Sequence, residues 1–246
     1  MRIAVLSDVH EDFQRLQKAF KSIESHGCES VVCLGDITGF ASQYYDHKPN
    51  ANACIDLVRD KAHYVVPGNH DLFLAKRFPK YYPSGALPEN WFQLSLAERR
   101  DFSDSNLWLY EEETLPVLSN DNFQYLTGLS EHLILPHHMG HILLSHYVFP
   151  DLCGITKWFL NYAIELRGHF HFMSQKDCSI SFAGHKHSQY PEIAGRFLWQ
   201  KKPYDTFQLK NLPKIVFCPP IAGRKFPGGY LIFDLHTHEI STVLLG

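Results

Sequence analysis

The sequence predicts an α/β fold built on a parallel sheet. Three observations carry this. Short apolar runs at residues 2–6, 31–34 and 64–66 alternate with two stretches of helical periodicity. Each run ends in a polar group, Asp8 with His10, then Asp36, then Asn69 with His70. The chain has 246 residues, 45% hydrophobic and 20% charged, enough for one large domain with a sizeable core.

The elements follow in order. Ile3, Ala4, Val5 and Leu6 form a β-branched run suited to a buried central strand. In residues 11–26, Phe13, Leu16, Ala19, Phe20 and Ile23 fall at helical spacing, and Gly27 closes the helix. Residues 31–34 give a second buried strand. Residues 50–61 give a second helix, with Ala53, Ile55, Leu57 and Val58 as its apolar face. A third strand, 64–66, stops at Pro67 and leads into a loop of Gly68, Asn69, His70 and Asp71. This β-α-β-α-β order calls for parallel strands and right-handed crossovers.

Residues 72–130 break the rhythm. They hold Pro79, Pro83, Pro88 and Pro116, many aromatics and the acidic run 111–113. Helices are expected near 95–102 and 120–129. No flexible linker brackets the stretch, so it reads as an insertion covering one side of the sheet within a single domain, 1–246. Strands return at 142–144, 180–183 and 215–217, with a helix at 157–166 and a terminal hairpin at 230–234 and 239–244.

Composition excludes several classes. A net charge of −3 gives no field for nucleic acid or an anionic membrane. The six cysteines include no Cys-x-x-Cys pair and sit in apolar contexts, as free thiols do in a reducing compartment. No signal peptide or membrane span is evident, so a cytoplasmic location is expected.

Five strand ends carry potential ligands: Asp8 with His10, Asp36, Asn69 with His70, His146, and His185 with His187. In open α/β sheets, sites lie outside the carboxyl ends of the strands. Residues two apart on an extended segment point the same way, so Asp8 and His10 can share a target, as can His185 and His187. The donors are imidazole, carboxylate and carboxamide without thiolate, which suits Mn, Fe, Co, Ni or Zn. Seven ligands exceed what one ion takes from protein, and two ions sharing a carboxylate account for them better.

The order Asp8-x-His10, Gly35-Asp36, Gly68-Asn69-His70-Asp71, His146, Gly184-His185-x-His187 resembles the calcineurin-like metallophosphoesterases, nearest their small prokaryotic phosphodiesterase branch. The resemblance implies an α/β/β/α sandwich. It implies one ion held by Asp8, His10 and His187, a second by Asn69, His146 and His185, and Asp36 bridging. It implies that a hydroxide bridging the ions attacks a phosphomonoester or phosphodiester, with His70 as proton donor to the leaving group. The expected partner is a small phosphate ester, such as a nucleotide. An oligomer stays open. A phosphoprotein phosphatase and a non-catalytic metal-binding scaffold are the rival readings.

Two departures stand out. Many relatives read Gly-Asp-x-x-Asp at the bridging carboxylate, where the second Asp orients the histidine; here Gly39 takes that place. Asp71 or a backbone carbonyl is the expected substitute. The first motif often continues Gly-Asn, where this chain has Glu11 and Asp12, so Asp12 is expected beside the metals.

Blander roles compete. Asp8 could cap a helix, and Asp36 could be a turn residue. A second Gly-His-x-His, residues 168–171, follows an expected helix end rather than a strand, so the later copy is preferred. His137, His138 and His141 lie at the wrong end of their strand and are expected at the surface; His236 and His238 belong to the hairpin turn. Phe40, Tyr44, Tyr45 and Tyr190 are candidates to line a pocket, and Arg77, Lys80, Arg99 and Arg100 to meet phosphate.

Overall fold

The computed structural model describes residues 1–83, 87–103, 106–223 and 226–246. Parts of the expected insertion, 84–86 and 104–105, lie outside the described residues. The helices are α1 (Phe13–Ser25), α2 (Ala51–Lys61), α3 (Asn69–Leu74), α4 (Leu96–Ser103), α5 (Asn120–Gly128) and α6 (Arg167–Gln175). The strands of the first half are β1 (Arg2–Leu6), β2 (Ser30–Cys33), β3 (Tyr64–Val65), β4 (His132–His137) and β5 (Gly140–Ser145). The rest are β6 (Cys178–Ala183), β7 (Glu192–Ala194), β8 (Trp199–Lys201), β9 (Thr206–Gln208), β10 (Lys214–Phe217), β11 (Gly228–Asp234) and β12 (Glu239–Leu245).

Two six-stranded sheets result, ordered β3-β2-β1-β11-β12-β9 and β4-β5-β6-β10-β7-β8. β1, β2 and β3 are parallel, as the crossovers require. Alternation along each strand divides the core into layers. Ile3 and Val5 face between the sheets, where they join Val32, Leu144, Phe182, Val216 and Phe233. Ala4 and Leu6 face outward and meet Leu16, Phe20, Ile55 and Val58 of α1 and α2. On the outer face of the second sheet, Leu143, Ala183 and Ile215 pack on Phe170 and Met173 of α6. The layering is α/β/β/α, and burial on both faces explains why the central strands are continuous apolar runs.

The region between α3 and α5 builds its own aromatic cluster, with Trp91 and Leu107 packed on Ile155. The helix expected at 157–166 is not there. Residues 157–162 form no helix, a short 3-10 turn spans Ala163–Leu166, and the helix follows as α6. Two contacts hold that stretch out of helical form: Leu160 N–H donates to the Tyr147 hydroxyl (3.0 Å), and the Phe159 ring stacks on His185 (5.2 Å). Strands β4, β7, β8 and β9 complete the sheets beyond those expected. Among the described residues no helix is long and apolar enough to cross a membrane.

Candidate active site

The sheets deliver their polar ends to one place. Asp8 follows β1, Asp36 follows β2, His146 follows β5, and His185 and His187 follow β6. Asn69 and His70 do not sit in a loop, as expected, but in the first turn of α3, which starts directly behind Gly68. There the helix N-terminus presents the His70 N–H to Asp36 Oδ1 at 3.0 Å. Gly68 is required at that approach, because a Cβ there would lie 2.0 Å from Asp36 Oδ1.

The Asp8/His10 and His185/His187 pairs are not on extended chain either. Asp8 (φ 55°), His10 (φ 44°), Asp36 (φ 50°), His185 (φ 67°) and His187 (φ 47°) all adopt left-handed backbone. Such strain outside glycine collects at functional sites, held by the surrounding structure.

The side chains form two overlapping groups, Asp8, His10, Asp36 and His187, and Asp36, His146 and His185. Within each, the donor atoms lie within 4.8 Å of one another, and Asp36 belongs to both. His187 Nε2 is 3.0 Å from Asp8 Oδ1, and His10 Nε2 is 3.0 Å from His187 Nε2. His146 Nε2 is 3.1 Å from Asp36 Oδ2 and 3.3 Å from His185 Nδ1. Backbone carbonyls set two of the rings. His10 Nδ1–H donates to Gly39 O (2.8 Å) and His146 Nδ1–H to Leu34 O (2.7 Å), which turns each Nε2 inward.

The donor set fits divalent cations. Asp36 Oδ2 and Asn69 Oδ1 are buried without a hydrogen-bond partner among the described residues. Burial opposes ionisation of Asp36, yet the imidazoles of His146 and His70 hold its carboxyl well below the usual range. Burial likewise opposes ionisation of Asp8, and His187 outweighs it. Among the described residues the ion-pair partners of these two carboxylates are histidines, with no Lys or Arg. Burial depresses His10 and His185, the latter to about 3, so both rings are neutral donors. Two buried carboxylates faced by several imidazole nitrogens, with no Lys or Arg beside them among the described residues, suit a metal centre.

His70 differs from its neighbours. Its Nε2 faces Asp36 Oδ2 at 3.8 Å, and its Nδ1–H donates to Glu113 Oε1 in a short hydrogen bond. Burial alone would depress this ring, but the Glu113 and Asp36 carboxylates raise it to about 10. Asp71, the expected partner, is occupied elsewhere. Its carboxylate accepts from Gly68 N (3.0 Å), Ile37 N (3.3 Å), Thr38 N (3.0 Å) and Thr38 Oγ1 (3.0 Å), tying α3 to the turn after β2. Gly39 (φ 96°) lies against the His70 ring, and a Cβ there would come within 2.4 Å of Nδ1. An Asp at position 39 would collide with the His70 ring as it is placed here. The residue missed from sequence is therefore Glu113, and its signal was the acidic run in the insertion together with the vacant role at Gly39. Tyr110 was missed too. Its hydroxyl lies beside the Asn69 side chain, its ring packs edge-on against His70 (5.2 Å), and it walls the cavity.

Other expectations change. Asp12, not Asp8, caps α1, accepting from Arg15 N at 3.0 Å, and it pairs with Arg15 (3.6 Å) and His47 (3.5 Å) rather than the metal donors. Glu11 accepts from Gly39 N (3.2 Å), and burial raises its carboxyl to about 7. The phosphate candidates brace structure instead. Arg77 donates to Thr127 O (2.8 Å) and Leu129 O (2.5 Å), Arg99 to Trp91 O (3.0 Å), and Arg100 pairs with Glu111. Lys80 and Tyr190 are exposed and do not line the cavity over the donors, whereas Tyr44 and Tyr45 do. That cavity, about 470 Å³, is also walled by Trp108, Tyr110, Phe159 and Lys157. In the 168–171 copy, His169 is buried inside α6 and far from the donor groups in its contacts: Nδ1 accepts from Phe149 N (2.9 Å) and Nε2–H donates to Ser181 Oγ (3.0 Å).

Comparison with known proteins agrees with this geometry. Residues 1–189 match the model of the calcineurin-like phosphoesterase family. The chain is 30% identical over 250 residues to uncharacterized protein MJ0912 of Methanocaldococcus jannaschii, covering 98% of this chain and 86% of that protein. Its fold is similar to a metallophosphoesterase from Sphaerobacter thermophilus, with a TM-score of 0.67 at 18% identity over 100% of this chain and 88% of the other. It is also similar to hypothetical protein PH1004 of Pyrococcus horikoshii OT3, with a TM-score of 0.58 at 13% identity over 99% and 87% of the two chains. With its motifs at the strand ends and a family match that covers most of its length, this chain belongs to the calcineurin-like phosphoesterases.

Proposed function

We propose that the chain hydrolyses a small phosphomono- or phosphodiester with two divalent transition-metal ions. The observation that supports this best is the sharing of Asp36 by two donor groups. One ion would be held by Asp8, His10 and His187, the other by Asn69, His146 and His185, with Asp36 contributing to both. When bound, such a pair neutralises phosphoryl oxygens and lowers the pKa of water enough to supply a nucleophile near neutral pH.

The protein's own contribution is the proton. His70 Nδ1–H is committed to Glu113, so Nε2 is the nitrogen that faces the centre. A proton held at Nε2 can pass to the departing alkoxide, and Glu113 stabilises the imidazolium and fixes its tilt. Glu113 touches His70 rather than substrate and is a positioning residue. The aromatic walls and Lys157 give the cavity the character of a site for an ester bearing a base or phenyl group. A cavity of about 470 Å³ walled by aromatic side chains matches the size and character of a small-molecule site. The His70–Glu113 pair argues against a scaffold without catalysis, which has no use for a held proton donor.

The test is metal analysis and ester hydrolysis on the Mn-loaded protein. About two equivalents of metal and turnover of a chromogenic phosphodiester are expected. His70→Ala should keep its metal yet lose about 10²–10⁴-fold in kcat on alkyl esters, and less on nitrophenyl esters, whose leaving groups need no proton. Less than one bound equivalent at saturating Mn, or equal losses on both ester types, would sink the respective half of this reading.

A further inference from the structure

Two hairpin turns meet at the end of the molecule opposite the cavity. One joins β4 to β5 and carries His137 and His138; the other joins β11 to β12 and carries His238. Asp234 pairs with Arg2 at the start of β1, whereas Leu6 at the other end leads to Asp8. The trio is thus one strand length from the active site, roughly 15–20 Å at the usual rise.

The three rings are spaced like ligands. Their centroids lie 4.2, 4.9 and 5.2 Å apart. The histidine pairs within the active site, His10 with His187 and His146 with His185, have 4.7 and 5.2 Å. One nitrogen from each of the three lies within 4.8 Å of the other two. The His137 Nε2–H donates to Leu235 O (3.1 Å) across the two hairpins, the arrangement that orients a ligating imidazole and leaves Nδ1 as its lone pair. The competing contact at Nδ1, from Met139 N, is long at 3.4 Å. His238 is held in left-handed backbone (φ 57°), and its Nε2 is buried without a hydrogen-bond partner among the described residues.

We propose that His137, His138 and His238 form a separate site for one borderline transition-metal ion, Zn²⁺, Ni²⁺ or Cu²⁺. Three imidazoles without a carboxylate select these ions over Mn²⁺ or Mg²⁺. Exposed His138 leaves the fourth position to solvent. β5 belongs to the second sheet and β11 to the first, so an ion here ties the two sheets together at the end the active site does not reach. A ligand that binds the folded chain alone raises its stability by mass action. The competing role for the rings is plain packing, since His137 and His238 also lie 6.4 and 6.2 Å from the Phe233 ring.

Equilibrium dialysis against Ni²⁺ separates the two. Wild type should bind one equivalent more than His238→Ala or His138→Ala, and saturating Ni²⁺ should raise the melting temperature of wild type more than that of either variant. Both variants should hydrolyse ester with Mn²⁺ at the wild-type rate. His138 is exposed, so His138→Ala keeps the fold even where His238→Ala does not. Equal Ni²⁺ equivalents in wild type and His138→Ala would overturn the site and leave ring packing as the role of the trio.

Discussion

Residues 168–171 and 184–187 spell the same pattern, Gly-His-x-His, sixteen positions apart. The first lies in the opening turns of α6, where its two histidines have helical neighbours and point different ways: His169 is buried and His171 is exposed. The second leaves the end of β6 with both histidines in left-handed backbone, aimed at Asp8 and His146. The copies are not independent. His169 donates to Ser181 in β6, the strand that carries the second pair. One copy turns ring nitrogens toward the candidate metal donors, and the other commits one ring nitrogen to Ser181 of β6 and the other to the Phe149 backbone. Chemistry here follows from where the chain ends a strand, not from the letters.

Substitutions sharpen this contrast. The largest effect is expected at His187→Ala. Replacing groups that merely support a ligand costs about 10–100-fold in affinity or activity, so loss of a ligand should exceed 100-fold in kcat/KM. Elemental analysis should also show a deficit of bound metal. A variant with full metal content and near wild-type turnover would erase the distinction between the copies.

His169→Ala should reverse the pattern. Metal content and the ratio of rates on different esters should match wild type, while urea denaturation shows a loss of about 2–4 kcal/mol, from the cavity and two orphaned partners. The pH dependence carries a sign that checks the cause. Burial depresses the folded His169 to about 3 against an ordinary value of 6.5. Above pH 6.5 the ring is neutral in both states and contributes no slope. Below it the unfolded chain takes up a proton that the folded chain refuses, so stability falls as pH falls, by about 1.4 kcal/mol per unit, until the folded ring titrates. His169→Ala should remove that portion of the slope between pH 6.5 and 5. An unchanged slope would show that His169 is not held neutral.

The smallest effect is expected at His171→Ala. Its ring is exposed and meets Gln175 Nε2 at 3.1 Å, so stability should stay within about 0.5 kcal/mol of wild type and activity should not move. A loss of activity there would mean that the helical copy reaches the chemistry after all.

Much of the fold was legible because burial on both faces leaves a local record. β1, β2 and β10 are largely apolar runs that no helix period explains, and β6 alternates Ser179, Ile180, Ser181 and Phe182 with period two. β7, β8 and β9 have three residues each, too few for any alternation to register. β4 carries Pro136 and lies at a sheet edge, where pattern is weakest. The aromatic stretch before α6 resembles an amphipathic helix because its apolar residues answer to Tyr147 and His185, contacts that spacing cannot reveal. The positions of Asp8, Asp36, His146 and His185 could be read because strand ends are local. The partner of His70 could not, because Glu113 reaches it from 43 residues away.

That distance gives the stretch between α4 and α5 a second meaning. A segment that carries the carboxylate partner of His70 is more than a cover. Shortening it, grafting another loop in its place or clipping it with a protease between Ser103 and Ser119 would leave Asp8, Asp36 and the five other donor-site side chains in place while releasing His70 from its restraint. The core would still gather metal, and the timing of proton release would be lost.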